Sequence, residues 1–219
     1  NNTSRDLTQR IFKHVEFALH QQSRRMLQAD VELFKYLSLP LQNELALERN
    51  ERTFKNHPLL FVLCRDVPTT MHKVCGSCLQ WVIIAREDQL FTTGEEAAAV
   101  YVMHEGHAIY SKRRREERAK HYSVKEDMWI AEASLWTKWV HVGDLAAATE
   151  CELIALDPEQ FAKEVCLNTQ ALHEAYSYGS KFVDRLNEYV DENVQAIMDI
   201  EQDFVMLKPP QRNSGVGLF

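Results

Sequence analysis

The chain has 219 residues, of which 45% are hydrophobic and 26% are charged, and its formal net charge is −7 at pH 7. This composition is that of an ordinary globular protein, and the length provides for one large domain with a sizeable core. The negative charge argues against a general nucleic-acid binder, which needs a basic face. No apolar run approaches the roughly 20 residues that span a bilayer, and the first residues do not resemble a secretory signal. Because the chain does not begin with Met, we expect it to be a fragment or a processed product.

The first part of the chain shows the apolar spacing of α-helices. The pattern predicts one helix over residues 3–25 and a second over about 26–37, which ends before Pro40 because proline disfavours helix in the residue before it. A third helix starts at Pro40, a residue well suited to a first helical position. A short helix is predicted over residues 67–79.

The pattern then changes to that of β-strands. The segment "CLQWVIIARED" is rich in β-branched and aromatic residues, and the next segment alternates apolar and polar residues, with Gly94 and Gly106 at turns. A last strand, "ECELIALD", is predicted to alternate two faces from Cys151 onward. Pro158 marks a helix start, and we predict helix from there to about Phe204. Helices, then strands, then helices indicate an α+β fold rather than a wound parallel sheet.

Two cysteines and two histidines are candidates for metal or redox chemistry. Cys75 and Cys78 form a C-x-x-C pair, which suits a redox dithiol or half of a zinc site. A structural zinc site needs four ligands and no second such pair exists, so we favour two small residues on a short helix. The odd total of five cysteines favours reduced, intracellular thiols. His104 and His107 fall in a strand-turn and do not form an H-E-x-x-H zinc helix.

A charged segment, "KRRREERAKH" over residues 112–121, separates two predicted strands. It would suit a basic docking patch for phosphate groups or lipid. We favour a solvated hairpin loop, because loops between strands are polar and two glutamates lie inside this one.

Three segments together resemble a known family. "REDQLFTTGEEAAAVYVMHEGHAIY" resembles the cyclic-nucleotide-binding domain, in which a strand, a glycine-acidic turn and an apolar strand ending in glycine follow one another. "WIAEASL" is similar to the phosphate-cassette motif F-G-E-x-A-L of that family. "LSLPLQNELALERNERTFKNHPLLF" is similar to the helical C-linker of cyclic-nucleotide-gated, hyperpolarisation-activated and ether-à-go-go-type channels. The order and spacing of these segments extend the resemblance over about residues 5–190.

The resemblance implies a fold and its division. A helical C-linker would be followed by an antiparallel, jelly-roll-like β-roll that C-terminal helices close. We expect a C-linker-like region over residues 1–65, the β-roll with its lid helix over 66–190, and an extended helix and tail over 191–219.

The resemblance also implies a nucleotide-like pocket. It gives Glu132 the role of accepting a hydrogen bond from the ribose 2′-hydroxyl, and it puts the phosphate-binding arginine of the family at about His141 or Val142. Ala131 stands where the family has a glycine that lets the backbone approach the phosphate. The pocket residues expected from the resemblance are Val102, Trp129, Ile130, Ala131, Glu132, Ala133, Ser134, His141 and Val142.

The missing arginine predicts a weakened anion site. A buried anion needs compensation, and a hydrogen bond to a charged partner is worth about 1.5–3 kcal/mol, so its loss lowers affinity by at least roughly 10-fold. His141 would compensate only when protonated, and Lys138 only if the turn has shifted. We therefore expect weak or no conventional binding of cAMP or cGMP, with Glu132 alternatively a structural carboxylate that accepts from backbone amides.

The tryptophans Trp129, Trp136 and Trp139 cluster around this cassette. They would form an aromatic platform for a planar ligand, or they would fill the pocket and pack the cassette against the closing helix. We favour packing, since large aromatic side chains usually supply buried area.

The C-terminal helix carries a long apolar stripe. Part of it would cover the β-roll, and the rest would form a coiled coil with another copy or pack on the C-linker. Candidates for a lid or an internal ligand are Phe182, Leu186 and Phe204. Residues 203–205 would fill the pocket as a built-in ligand, as a segment does in ether-à-go-go-type channels.

On this resemblance we expect a non-catalytic, cytoplasmic regulatory domain of an ion channel, such as a potassium channel, that couples the pocket to the gate. It would lie on the cytoplasmic face of a membrane. Its partners would be a transmembrane pore upstream in the same polypeptide and further copies in a tetramer, with no nucleic acid, no metal and no cofactor beyond possible cAMP or cGMP. The alternatives are a cyclic-nucleotide-sensing domain of a kinase or exchange-type signalling protein, and a redox or metal protein that uses Cys75 and Cys78.

Overall fold

The computed structural model describes residues 37–112, 119–193 and 197–200, together with Leu7, Ile11 and Val15, which are helical and exposed. Most of the two helices predicted before residue 38, and residues 113–118 of the charged segment 112–121, lie outside the described residues. The described helices are α1 (Leu39–Lys55), α2 (Pro58–Asp66), α3 (Pro68–Ser77), α4 (Pro158–Cys166) and α5 (Thr169–Asn193). The described strands are β1 (Leu79–Ile84), β2 (Gln89–Phe91), β3 (Val100–Glu105), β4 (Ala108–Lys112), β5 (Lys120–Val124), β6 (Trp129–Ile130), β7 (Asp144–Ala147) and β8 (Cys151–Leu156). A short 3₁₀-helix, Glu132–Leu135, follows β6.

Proline and capping residues fix where the helices begin. A proline lies in the first turn of α1, α2, α3 and α4, where its missing N–H leaves no hydrogen bond unmade. The side chain of Asp157 accepts a hydrogen bond from the backbone N–H of Gln160 at the start of α4. His57 does the same for α2 through Nδ1, which accepts from the N–H of Leu60.

The strands form two antiparallel sheets, which confirms the α+β prediction. The strand orders are β1-β8-β3-β6 and β2-β7-β4-β5. Helices α2 to α5 pack on the first sheet, and the second sheet packs on its other side. Among the described residues, no helix is both long enough and apolar enough to span a bilayer.

Strand β8 alternates its two faces as predicted, and all six of its residues are buried. It lies in the interior of its sheet, between β1 and β3. Ile154 and Leu156 pack toward the helices, whereas Cys151 and Leu153 pack toward the second sheet. A strand covered on both faces has no solvent-exposed side.

The predicted glycine turn at Gly106 is confirmed. Its φ is +105°, and a Cβ there would lie 2.4 Å from the carbonyl oxygen of Glu150. Only glycine fits both the left-handed backbone and the close approach. His104 and His107 therefore lie on opposite sides of a tight turn.

The prediction of helix as far as Phe204 is wrong. Helix α5 ends at Asn193, and Ile197–Ile200 is not helical. Ile200 instead forms an antiparallel bridge with Ile130 of β6, which lies at the edge of its sheet. An edge strand offers unpaired backbone groups, and these capture the segment although its apolar spacing continues that of the helix. Phe204 and the proposed built-in ligand over 203–205 lie outside the described residues.

Candidate ligand-binding site

The segment Ile197–Ile200 lies against β6 and the 3₁₀-helix, among residues that the sequence predicts to line a pocket. The N–H of Ala131 donates to the carbonyl oxygen of Asp199. Lys112 donates from Nζ to the carbonyl oxygen of Ile197. The backbone of the segment is therefore fixed at both ends, and its central side chain, Asp199, points into the fold with 0% exposure.

One oxygen of the Asp199 carboxylate contacts two aromatic side chains. Oδ1 accepts a hydrogen bond from Nε1 of Trp139 at 2.7 Å and lies 2.9 Å from Nδ1 of His141. His141 is held flat against Phe91, with the ring centroids 3.6 Å apart and the planes 2° from parallel. Its orientation therefore comes from stacking, which aims Nδ1 at the carboxylate.

The other oxygen contacts a hydroxyl and two backbone amides. Oδ2 accepts from the hydroxyl of Tyr110 at 2.8 Å. It also accepts from the N–H groups of Val142 at 2.9 Å and Gly143 at 3.0 Å. Consecutive amides that converge on one oxygen form an anion site that needs no charged side chain. Every one of these partners donates, and an ionised carboxylate, which only accepts, matches them.

Tyr110 shares its hydroxyl between two parts of the segment. Besides donating to the carboxylate, the oxygen accepts from the N–H of Asp199 at 3.2 Å. Burial raises the pKa of Tyr110, and the negative charge of Asp199 raises it further, so the phenol keeps its proton and remains a donor. A Cβ on Gly143 would lie 2.3 Å from Cζ of Tyr110, so only glycine lets the ring reach this position.

Glu132, at the start of the 3₁₀-helix, binds two side chains from different helices. Its Oε1 accepts from the hydroxyl of Tyr178 on α5 at 2.9 Å and lies 3.2 Å from Nε2 of His57. The His57 contact lacks the alignment of a good hydrogen bond, and Nδ1 of the same ring accepts from the N–H of Leu60. Burial opposes ionisation of Glu132, but the contacts with His57 and Tyr178 outweigh it and lower the pKa of Glu132 below its usual value.

The three tryptophans have separate surroundings. Trp129 meets the ring of His57 edge-on, with centroids 4.7 Å apart. Trp136 packs on Tyr178 and Phe182 of α5. Trp139 binds Asp199 as described above. The tryptophans therefore do not form one stacked platform, and two of them pack the cassette against helices.

Little space remains around the segment. A cavity of about 30 Å³ lies between β6, the 3₁₀-helix, α5 and the segment. This holds one or two water molecules, whereas pockets for small molecules usually measure about 300–1,000 Å³. The segment lies among residues that the sequence predicts to line a ligand pocket. The cavity is lined by Trp129, Ala131, Glu132, Ala133, Trp139, Phe182, Leu186, Met198, Asp199 and Ile200.

The predicted site residues fall into three groups. Most of them line this cavity or contact the segment, including Phe182 and Leu186 of α5, and His141 and Val142 bind Asp199 directly. Val102, by contrast, packs in the core on the helix side of its sheet. The hydroxyl of Ser134 is buried without a hydrogen-bond partner among the described residues.

Ala131, which stands where the resemblance puts a glycine, adopts a left-handed backbone conformation. Its φ is +60° and its ψ is +32°, in the left-handed region. An L-residue in this region is strained by about 1–2 kcal/mol. The conformation aims the N–H of Ala131 at the carbonyl oxygen of Asp199.

The sequence did not predict several residues of the site. These are His57, Tyr110, Gly143, Tyr178 and Asp199. Asp199 lies between Met198 and Ile200, a pattern common to many helices, so nothing in the local sequence marks it. The backbone N–H groups that donate to it cannot be predicted from the identity of the side chains.

The cysteines do not support a redox or metal site. Cys75 and Cys78 lie at the end of α3 and are buried, and burial raises the pKa of both thiols. Within the described ranges, no group of three or more His, Cys, Asp or Glu side chains is placed to hold a metal ion.

Comparisons with known proteins identify the fold. No protein-family model and no curated protein matches the chain. The N-terminal domain of a transcriptional regulator from Streptomyces coelicolor A3(2) superposes with a TM-score of 0.53 and 20% identity, over 63% of this chain and 94% of that chain. The sensor domain of the transcriptional regulator DNR from Pseudomonas aeruginosa gives 0.52 and 20%, over 66% and 93%. The chain shares their fold.

The shared fold agrees with the predicted α+β architecture. A candidate cyclic nucleotide binding protein from Ruegeria pomeroyi also matches, with 16% identity and a TM-score of 0.49 over 67% of this chain and 63% of that chain. A score this low carries no argument about a ligand. The predicted C-linker and the domain boundaries stay predictions.

The comparisons contradict the ion-channel interpretation. Two solved structures that share the fold are domains of transcriptional regulators, so the predictions of a channel domain, a potassium channel and an upstream pore are wrong. The prediction of a site on the cytoplasmic face of a membrane is wrong on the same finding. The prediction that nucleic acid is not a partner is also contradicted, since these two similar structures belong to regulators of transcription. Neither alternative function is better supported.

Proposed function

We propose that this chain is a non-catalytic regulatory module of the sensor type, whose ligand position is taken by its own segment Ile197–Ile200. The single observation that carries the proposal is the carboxylate of Asp199, buried and bound by the side chains and amides of the pocket. A module in this state needs no small molecule to hold its pocket together.

The pairing of the ionisable groups supports a role without catalysis. Glu132 is engaged by His57 and Tyr178, and His141 is engaged by Asp199. A catalytic acid or base must reach a substrate proton, and these groups are directed at one another instead. The regulatory character of the proteins that share the fold is consistent with this.

The connections of Glu132 suggest how the state of the pocket reaches the rest of the fold. His57 begins α2 and Tyr178 lies on α5, so a single carboxylate joins the cassette to two helices. Loss of the segment would change the environment of the cassette and, through Glu132, the positions of both helices. This is a two-state relation in which the segment stabilises one arrangement.

A cyclic nucleotide would have to compete with the segment for this pocket. To bind, a nucleotide must displace the segment and place its phosphate against Trp139, His141 and two amides. The donors to the Asp199 carboxylate are Trp139, His141, Tyr110 and two backbone amides, and none of these is an Arg or Lys that would pair with the phosphate. Isothermal titration calorimetry with cAMP and cGMP, on the wild type and on Asp199→Ala, tests this. We expect no binding to the wild type at micromolar ligand, and micromolar binding to the wild type would overturn the proposal.

A further inference from the structure

We propose that this pocket is a peptide-recognition site, which takes an extended segment of the pattern apolar–Asp–apolar and binds it in trans when the tethered copy is released. This inference rests on the proposed function and names the class of ligand that the site selects. It assigns the pocket an extended, carboxylate-bearing peptide rather than a nucleotide.

Backbone contacts give the first argument for a peptide. Ile200 bridges to Ile130 in antiparallel register, and the carbonyl oxygen of Asp199 accepts from Ala131. The N–H of Asp199 donates to the hydroxyl of Tyr110. Only a polypeptide offers this alternation of donors and acceptors, and adding a strand to an exposed sheet edge is an established mode of peptide binding.

The central side chain gives the second argument. Trp139 and His141 face Oδ1, while Tyr110 and two backbone amides face Oδ2. Both oxygens of the carboxylate therefore accept hydrogen bonds. An asparagine at Asp199 would turn an NH₂ group toward donors on one side, so the site discriminates Asp from its closest isostere.

The flanking side chains give the third argument, because they pack on different surfaces. Ile197 is buried in a cluster with Ala133 and Leu186, against which Phe182 packs. Ile200 is buried in the core between the two sheets. Two apolar side chains in separate recesses on either side of the anchored carboxylate fix the register of a bound segment.

The tether explains why this binding is masked in the intact chain. Only residues 194–196 separate the end of α5 from Ile197. A short tether gives an effective concentration on the order of millimolar, so a free peptide competes poorly with the resident segment. Cutting the tether removes this advantage without changing any residue of the pocket.

The experiment places a specific protease site at residues 194–196 of the full chain and cleaves it after folding. The fragment is released by dilution, and binding of a fluorescent peptide of the sequence QAIMDIEQ, residues 195–202, is measured by anisotropy. The matched control peptide carries Asn in place of Asp199, and further arms use cAMP and inorganic phosphate as competitors. The uncut protein serves as the masked control.

We expect the Asp peptide to bind the cleaved protein and not the uncut protein. The Asn peptide should bind at least about 10-fold more weakly, which corresponds to the loss of one hydrogen bond to a charged group. Neither cAMP nor phosphate should displace the Asp peptide at equal concentration. Equal binding of the two peptides, or displacement by cAMP, would overturn the inference.

Hydrogen exchange on the uncut protein separates two kinds of failure. If the amides of Val142 and Gly143 are protected there but no peptide binds after cleavage, the inference fails and the proposed function stands. If those amides exchange freely in the uncut protein, the segment is not in the pocket and the proposed function fails too.

Discussion

Nδ1 of His141 lies 2.9 Å from Oδ1 of Asp199, although the two residues are 58 positions apart in the chain. The contact explains how the pocket binds an anion without the arginine that the family resemblance places there. The anion of this pocket belongs to the protein itself, and an imidazole, an indole, a phenol and two backbone amides bind it. A carboxylate on a neighbouring segment does not have to be attracted from solution, so a full positive charge is not needed to hold it.

The first prediction concerns Asp199→Asn. The substitution keeps the shape of the side chain but removes the charge and turns an NH₂ group toward donors. A hydrogen bond to a charged group is worth about 1.5–3 kcal/mol, so we expect the free energy of unfolding to fall by about 2–4 kcal/mol. Urea denaturation measures it. The matched control is Asp184→Asn on the exposed surface of α5, which should change stability by less than about 0.5 kcal/mol; equal effects of the two variants would contradict the role of Asp199.

The second prediction concerns Gly179 on α5, where a Cβ would lie 2.5 Å from Cε3 of Trp136. Replacing glycine by alanine inside a helix normally stabilises it by up to about 1 kcal/mol. Here the methyl group would push α5 from the cassette, and overpacking costs about 1–3 kcal/mol. We expect Gly179→Ala to lower the free energy of unfolding, measured by thermal and urea denaturation.

Gly76→Ala on α3 is the matched control for Gly179→Ala. Its Cβ meets the end of the Asn43 side chain, which can rotate away. We therefore expect no loss of stability there, and a gain for Gly179→Ala would show that Trp136 does not pack as described.

The third prediction concerns acid. The folded pKa of Glu132 is lowered, so its contribution to stability is fully present above its unfolded pKa of about 4.3 and is lost as the pH falls through the folded value. The stability difference between the wild type and Glu132→Gln should thus be greatest near neutral pH and should shrink below about pH 4.3. Urea denaturation across this range measures it. Glu188→Gln, on the exposed face of α5, should show no such convergence, and a difference independent of pH for Glu132→Gln would refute the ionised contact.

Much of the fold follows from the sequence because local signals determine it. Prolines mark the first turns of α1 and α4, and Gly106 marks a turn that no other residue can form. The cassette can be found from Glu132 and its neighbours, since their order is contiguous in the chain. These features depend on residues a few positions apart, within the reach of periodicity and motif.

The contacts that hold Asp199 in the site could not be predicted from local sequence patterns. The bond between Asp199 and His141 joins distant positions, and the amides of Val142 and Gly143 donate whatever their side chains are. The apolar residue Ile197 continues the spacing of α5, so local pattern predicts helix where the edge of β6 captures an extended segment. Tertiary pairing overrides local preference at this point.

The fourth prediction concerns thiol reactivity. Burial raises the pKa of Cys64 from 9.0 to about 11, which lowers its thiolate fraction near pH 8 about 100-fold. Burial also raises the pKa of Cys75, Cys78 and Cys151, whereas Cys166 is exposed. A chromogenic disulfide reagent should therefore react rapidly with one thiol of the native protein. Cys166→Ser should abolish this fast phase, and a second fast thiol would argue against the burial of the other cysteines.

Hydrogen exchange of the Val142 and Gly143 amides shows whether residues 197–200 occupy the pocket through Asp199. Both N–H groups donate to Oδ2 of Asp199. We expect strong protection in the wild type and exchange at least about 10-fold faster in Asp199→Ala, since each amide loses its acceptor. Rapid exchange in the wild type, or equal protection in the two proteins, would contradict the account.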